Sequence, residues 1–230
     1  MGSGLRAACA LSEADKNLKL VSAIDNDLRF EAELTVGAFP FPIDWSERNG
    51  HVTFKYYTPL SSPVIEGRLS SAKEIQIIDC DAALVFGMIE TSARVKADYL
   101  IFDPQQPQDI IQLNTERFPS KHLAIVANKN ETKNLGKSDD IKTAAKNLLI
   151  GSKADVIITK LGAKGALVTT PKVQHEIGPH PTQKVMPIGS GDTFAAGFAW
   201  AWGCLKLDPV EAAHVGSAAA AFYVSTETLP

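Results

Sequence analysis

Four short apolar runs constrain this chain most: Ala82-Ala83-Leu84-Val85-Phe86, Tyr99-Leu100-Ile101-Phe102, Leu123-Ala124-Ile125-Val126 and Val156-Ile157-Ile158-Thr159. Each is too short for a helix, is bounded by turn or cap residues, and is apolar on both faces, which is the pattern of strands buried in a parallel sheet. Parallel strands need covering crossovers, and the sequence supplies one between the last two runs. There Ser138-Asp139-Asp140 caps a helix whose stripe is Ile141, Ala144, Ala145, Leu148 and Leu149, ending near Gly151. Upstream, Leu5–Leu11 reads as a helix and Leu18–Ile24 as a strand. The expected class is α/β, a mostly parallel sheet flanked by helices.

A chain of 230 residues, 45% hydrophobic and 21% charged, can bury one large core. No repeat or charged linker divides it, so residues 1–230 are read as one α/β domain. Residues 39–65 break the rhythm and are expected to form a lid or small lobe. Pro40, Pro42, Pro59 and Pro63 flank the alternating stretch His51–Tyr57, in which Val52, Phe54 and Tyr56 share one face. An edge strand of the main sheet is the alternative for that stretch. The net charge of −3 argues against nucleic acid as a partner. The longest apolar run, Phe194–Leu205, is broken by glycines and is far short of the roughly 20 residues that span a bilayer, so no membrane span is expected. Cys9, Cys80 and Cys204 are odd in number and form no Cys-x-x-Cys pair. With no signal-peptide pattern at the start, that usage fits a cytoplasmic protein.

Chemistry concentrates in Gly189-Ser190-Gly191-Asp192-Thr193-Phe194-Ala195-Ala196-Gly197-Phe198. Gly189 and Gly191 permit a tight turn that brings N–H groups close to a ligand, and a buried helix is expected from about Thr193 to Trp202. Such a turn is an anion hole at a helix N-terminus. Asp192 beside a bound phosphate would repel it unless the carboxylate takes a proton from an attacking hydroxyl. Read alone, the segment is more often a glycine turn followed by an aspartate-capped helix.

Three segments in order resemble the ribokinase family, the PfkB-type carbohydrate kinases. Gly189–Phe198 is similar to that family's second signature, which implies Asp192 as catalytic base and Gly189, Ser190 and Gly191 as anion hole. Asn128-Lys129-Asn130-Glu131 is similar to its Asn-x-x-Glu motif, which implies that Asn128 and Glu131 act on the magnesium–phosphate assembly through water. Val156–Val168, with Lys160-Leu161-Gly162-Ala163-Lys164-Gly165, is similar to the strand–glycine–strand element beside the nucleotide, with Gly162 and Gly165 allowing close approach. Lys160 reads either as a phosphate contact or as a solvated strand-end lysine. Gly2-Ser3-Gly4-Leu5-Arg6 resembles the first signature, implying Gly2, Gly4 and Arg6 at the acceptor, and Asp25-Asn26-Asp27 falls at the Gly-x-Asp turn.

The departures are specific. Met186 stands where the family usually has an aspartate, and Arg6 replaces an asparagine that touches the sugar, which implies either an acidic or phosphate-bearing acceptor or a degenerate site. The family's opening strand would lie before Met1. Gly136-Lys137-Ser138 is no P-loop, since Glu131 holds the place of the required glycine. His175 and His180 read as loop histidines, and Trp200 and Trp202 as core. The resemblance implies ATP-dependent phosphoryl transfer to a hydroxyl of a sugar or related small molecule, with ATP and Mg2+ as cofactors. The lid would cover the acceptor and offer a surface for a homodimer. The alternative is a non-catalytic sugar- or nucleotide-binding protein on the same fold.

Overall fold

The computed structural model describes residues 2–58, 64–67, 71–72, 74–87, 93–105, 118–182, 188–226 and 229. The chain opens with helix α1 (Ser3–Leu11), strand β1 (Leu20–Asp25) and helix α2 (Asn26–Val36), which Asp25 caps by accepting from the Asp27 N–H. Strand β2 (Ile43–Asn49) runs parallel to β1, β3 (Thr53–Lys55) pairs with β4 (Val64–Glu66), and β5 (Ser71–Ala72) adds antiparallel to β2. The result is a small three-stranded sheet beside a two-stranded ribbon. Residues 39–65 thus contribute β2, β3 and the start of β4, while β1 and β5 join from outside that range. Among the described residues the ribbon pairs only with itself, so the edge-strand alternative for His51–Tyr57 is not what forms.

The main sheet follows: β6 (Ile75–Phe86), β7 (Ala93–Asp103), β8 (Ser120–Asn128), β9 (Val156–Lys160), β10 (Ala166–Thr169) and β11 (Gln174–Ile177), in the spatial order 11-10-9-8-7-6. Strands β6 to β9 are parallel and β10 and β11 antiparallel, which bears out the α/β, mostly parallel expectation. Each predicted strand core is present, with longer ends. β6 starts at Ile75 rather than Ala82 because Asp79 and Asp81 hide the apolar pattern, and a bulge between Ile77 and Cys80, with Asp79 at φ 52°, lets the strand continue past them.

Helices α3 (Lys129–Leu135) and α4 (Ile141–Ser152) cross between β8 and β9. Ala145, Leu148 and Leu149 of α4 cover one face of the sheet, packing with Leu100, Ile125 and Ile157. The other face is covered by α5 (Ser190–Ala199), a π-helical segment (Trp200–Cys204) and α6 (Pro209–Thr226). Phe198 and Trp202 stack there over Ile101, Val126 and Ile158. Alternation along each strand sends neighbours such as Leu100 and Ile101 to opposite layers. Helices α5 and α6 touch through glycine: a Cβ on Gly216 would lie 2.8 Å from the Phe194 carbonyl oxygen, and one on Gly197 would lie 3.1 Å from Gly216 Cα. Helix α1 reaches the same layer through Ala7 and Ala10 against Ala196.

Candidate active site

Three adjacent parallel strands end on polar residues. Asp103 closes β7, Asn128 closes β8 and Lys160 closes β9, with Asn128 and Lys160 partners in register. The crevice outside the carboxyl ends of parallel strands is where open α/β sheets bind ligands. Lys160 Nζ donates to Asp103 Oδ2 at 2.7 Å, and both side chains are largely withdrawn from water. Burial, only partly offset by the Lys160 ammonium and reinforced by Glu131 and Asp192, lifts the Asp103 carboxyl to about 6. Burial alone would lower Lys160; the carboxylates of Asp103, Glu131 and Asp192 outweigh it and raise that lysine instead. Burial thus dominates at Asp103, whereas the surrounding carboxylates dominate at Lys160.

Gly189 takes φ 93°, in the left-handed region, and is the N-cap of α5. The helix therefore begins at Ser190, three residues before the predicted start, so the N–H groups of Ser190, Gly191 and Asp192 are its first three, which lack intrahelical partners. The turn is held from both sides: Thr193 donates its N–H and hydroxyl to the Gly189 carbonyl at 3.1 and 3.0 Å, and the Tyr223 hydroxyl of α6 donates to the Ile188 carbonyl at 3.0 Å. A Cβ on Gly191 would lie 3.4 Å from Lys160 Nζ, so the ammonium stands against the turn. The solvated alternative for Lys160 does not hold.

Asp192 is buried at the third position of α5, and both carboxylate oxygens are engaged. Arg6 Nη1 donates to Oδ2, and Gln105 Nε2 donates to Oδ1 at 2.9 Å and to Ser3 Oγ at 2.9 Å. The Arg6 side chain lies over Gly189, where an added Cβ would meet its Nε at 2.5 Å. Tyr56, beyond β3, approaches the same group: burial, then the Asp192 charge, raise its phenol, with Arg6 opposing.

The remaining sequence candidates divide. Asn128 and Glu131 form a capping box on α3, with Asn128 Oδ1 accepting from the Asn130 and Glu131 N–H groups and Glu131 Oε2 accepting from the Asn128 N–H at 2.7 Å. Glu131 is nevertheless buried and acts electrostatically on Asp103 and Lys160. A buried hydroxyl pair, Thr132 with Thr159 at 3.1 Å, ties α3 to β9 and fixes that proximity. Gly162 and Gly165 have φ 62° and 85° in the turn between β9 and β10. Gly165 is required by the chain's own fold, since a Cβ there would overlap the Ile177 carbonyl oxygen, whereas Gly162 faces open space. Gly2 caps α1 with extended backbone, and Gly4 has only Leu20 beside it. His175 lies on β11 rather than in a loop, Trp202 is core as expected, and Met186 lies outside the described residues.

Asp103 and Gln105 were missed from sequence. A carboxylate closing an otherwise apolar parallel strand, as in Leu100-Ile101-Phe102-Asp103, was the available signal. Gln105 gave none, because its role comes from a left-handed backbone, φ 51°, that turns its amide back toward Ser3 and Asp192.

Residues 69–229 match the model for "pfkB family carbohydrate kinase". The chain belongs to the pfkB family. The match takes in β5 to α6, and with them Asp103, Asn128, Glu131, Lys160 and Asp192, while α1 with Arg6 lies before it. The pfkB-type fold extends over the whole chain in solved structures. Ribokinase from Thermotoga maritima has a TM-score of 0.67 at 18% identity, covering 100% of this chain and 82% of that one. A fructokinase double mutant from Vibrio cholerae, bound to fructose, ADP and potassium ion, has 0.71 at 15%, covering 100% and 86%. The nucleoside kinase of Methanocaldococcus jannaschii, a ribokinase-family member, has 0.65 at 16%, covering 100% and 81%. No curated protein matches this chain.

For a pfkB-family chain the groups to accommodate are a nucleotide phosphate and a divalent ion. The α5 turn with Lys160 against it suits a phosphate, through the positive end of a helix and one ammonium. No group of three or more His, Cys, Asp or Glu among the described residues could cage a metal. The donors present are hard oxygens, which suits Mg2+ holding most of its own waters. No helix among them is long and apolar enough to cross a membrane.

Proposed function

We propose that this chain transfers the γ-phosphoryl group of ATP to a hydroxyl of a sugar or related small molecule, with Asp192 as the base. The observation that carries this is the buried Asp192 carboxylate on the first turn of α5, paired with Arg6 and within electrostatic range of Lys160. A carboxylate in an anion site is costly unless it handles a proton. Asp192 accepts the acceptor's hydroxyl proton as that oxygen forms its bond to the γ-phosphorus. The bond from phosphorus to the β–γ bridging oxygen breaks, and ADP leaves with the electron pair. The N–H groups of Ser190, Gly191 and Asp192 hold the charge developing on the equatorial oxygens, and Lys160, fixed by Asp103, adds its ammonium from the β9 side. Mg2+ would supply neutralising charge to the phosphate oxygens, and Glu131 and Asn128 would hold it through its waters.

Glu131→Gln isolates that last role, because glutamine still completes the capping box while losing the charge. The expected result is a higher Mg2+ concentration for half-maximal rate. Superimposable magnesium curves would leave Glu131 as a helix cap alone.

The β3–β4 ribbon is the lid in this reading. It exposes Phe54 and Ile65 and brings Tyr56 within electrostatic range of Asp192. A lone two-stranded ribbon is marginal in water, so docking over the acceptor, or against the ribbon of a second copy, gives it a second surface. Phe54→Asp with Tyr56→Asp should raise the acceptor KM by about tenfold, the cost of one lost apolar contact set. An unchanged KM, kcat and sedimentation coefficient would remove the lid assignment.

One observation favours a second reading, a binding protein without turnover: both oxygens of Asp192 are already occupied. The deciding experiment is ADP formation across a panel of hydroxyl acceptors beside thermal stabilisation by ATP. Turnover with any acceptor establishes the kinase; stabilisation by ATP without turnover on the whole panel establishes the binding protein.

A further inference from the structure

Gln105 stands in a backbone conformation that its surroundings impose. It follows Asp103 and Pro104 at the end of β7, and its φ of 51° lies in the left-handed region, which a residue with a Cβ enters at a steric cost. Pro104 is buried and its ring fixes φ. The Gly87 N–H at the end of β6 donates to the Asp103 carbonyl at 2.7 Å, and a Cβ on Gly87 would lie 2.3 Å from the Pro104 carbonyl oxygen. The chain before Gln105 is thus pressed against its neighbour, and that contact directs how it leaves the strand.

The conformation aims one amide at two acceptors. Gln105 Nε2 donates to Asp192 Oδ1 and to Ser3 Oγ, both at 2.9 Å. A primary amide nitrogen carries two hydrogens, so both are used, and the amide cannot be reversed because an ionised carboxylate only accepts. One side chain therefore braces the end of β7 against the first residue of α1 and the third of α5. For Asp192 the effect is geometric. The torsion that turns a carboxylate is broad and two-fold, and a donor at each oxygen, Arg6 Nη1 at Oδ2 and Gln105 at Oδ1, fixes its plane. An ionised carboxylate has about four lone-pair sites, so a site remains for an acceptor hydroxyl. A neutral amide gives direction without adding a second positive charge at Oδ1.

We propose that Gln105 is a positioning residue for phosphoryl transfer: braced by Ser3, its amide fixes the plane of the Asp192 carboxylate so that a lone pair meets the proton of the acceptor hydroxyl. The proposal rests on the phosphotransfer reading above. It sets Gln105 against the base and against neither substrate, so losing the amide lowers kcat and spares KM.

The test measures ADP release over a range of ATP and acceptor concentrations, with ribose, fructose, fructose 6-phosphate and gluconate as acceptors. Glycine takes φ 51° without steric cost, so Gln105→Gly keeps the backbone of the turn and loses only the amide, and a cooperative thermal transition verifies that it folds. Its kcat should fall by about 10- to 100-fold, the effect of a reacting group misplaced by up to an ångström, with both KM values within about twofold of the parent. Ser3→Ala should lower kcat less, and should add nothing to Gln105→Gly, since the two hydrogen bonds form one brace. Gln105→Glu places a carboxyl against Oδ1 that can donate only when protonated, so the ratio of its kcat to that of the parent should rise as pH falls from about 8 to 5.5. Arg6, Tyr56, Asp103, Glu131 and Lys160 surround the site in both proteins, and the ratio cancels their contribution. An unchanged kcat for Gln105→Gly, a loss confined to KM, fully additive effects of Ser3→Ala and Gln105→Gly, or a ratio flat in pH would each overturn the positioning role, while turnover by the unaltered chain leaves the kinase intact. No ADP from the unaltered chain with any acceptor would overturn phosphotransfer itself, and the positioning role with it.

Discussion

Asp192→Asn is expected to lower kcat by about 10²- to 10⁴-fold, the range that general bases supply, with nucleotide affinity nearly unchanged. The substitution preserves shape, keeps an oxygen to accept from Gln105, and leaves the helix N–H groups of the turn as they are. It removes the proton acceptor and replaces the oxygen facing Arg6 with an amide donor. Chemistry and nucleotide binding are thereby separated. Single-turnover kinetics with saturating acceptor, beside calorimetric titration of ATP, measure both. A variant that keeps more than about a tenth of the parent rate would contradict a base at Asp192.

Lys160→Met should cost about 10²-fold in kcat/KM, since it withdraws the ammonium that faces Gly191 from a site where charge develops. Its effect on stability depends on pH in a defined direction. The Asp103 carboxyl, already lifted to about 6 by burial, loses its partner and rises further. A folded-state value above the unfolded one means that the native chain binds the proton more tightly. Folding is therefore favoured as pH falls through the folded value and disfavoured above it. Lys160→Met should melt well below the parent at pH 8, by an amount in the range of about 3–5 kcal/mol seen for broken buried pairs, and approach the parent at pH 5. Adding Asp103→Asn should restore stability at pH 8 without restoring activity. If the single variant melts equally far below the parent at pH 5 and pH 8, the pair is not the buried ion pair described.

How much of this could be read from the chain follows the range of the forces involved. Strand cores such as Leu123–Val126 and the capped helix from Ile141 follow from local patterns, and both form as predicted. The glycine turn before Asp192 is local as well, and only the helix start moved, because Gly189 itself takes the left-handed cap. Asp103, Gln105 and the fate of Lys160 were not legible. They depend on which strand ends lie side by side, a property of sheet order that no short window contains. The contact of Arg6 with Asp192 joins residues 186 apart in sequence and depends on α1 packing against α5 through alanines. The family resemblance placed these two residues in one site but gave no reason for them to touch.

The glycine-mediated contact between α5 and α6 has a mechanical consequence. With Gly197 and Gly216 placing the two backbones in contact, and Phe198 and Trp202 seated on the sheet, α5 has no room to tilt or slide without opening a void in a close-packed layer. The α5 turn therefore rests on a rigid anvil. Motion on this face of the molecule then falls to the part with little beneath it, the β3–β4 ribbon, which among the described residues pairs only with itself. Selection can rework that ribbon without disturbing the packing that fixes the α5 turn.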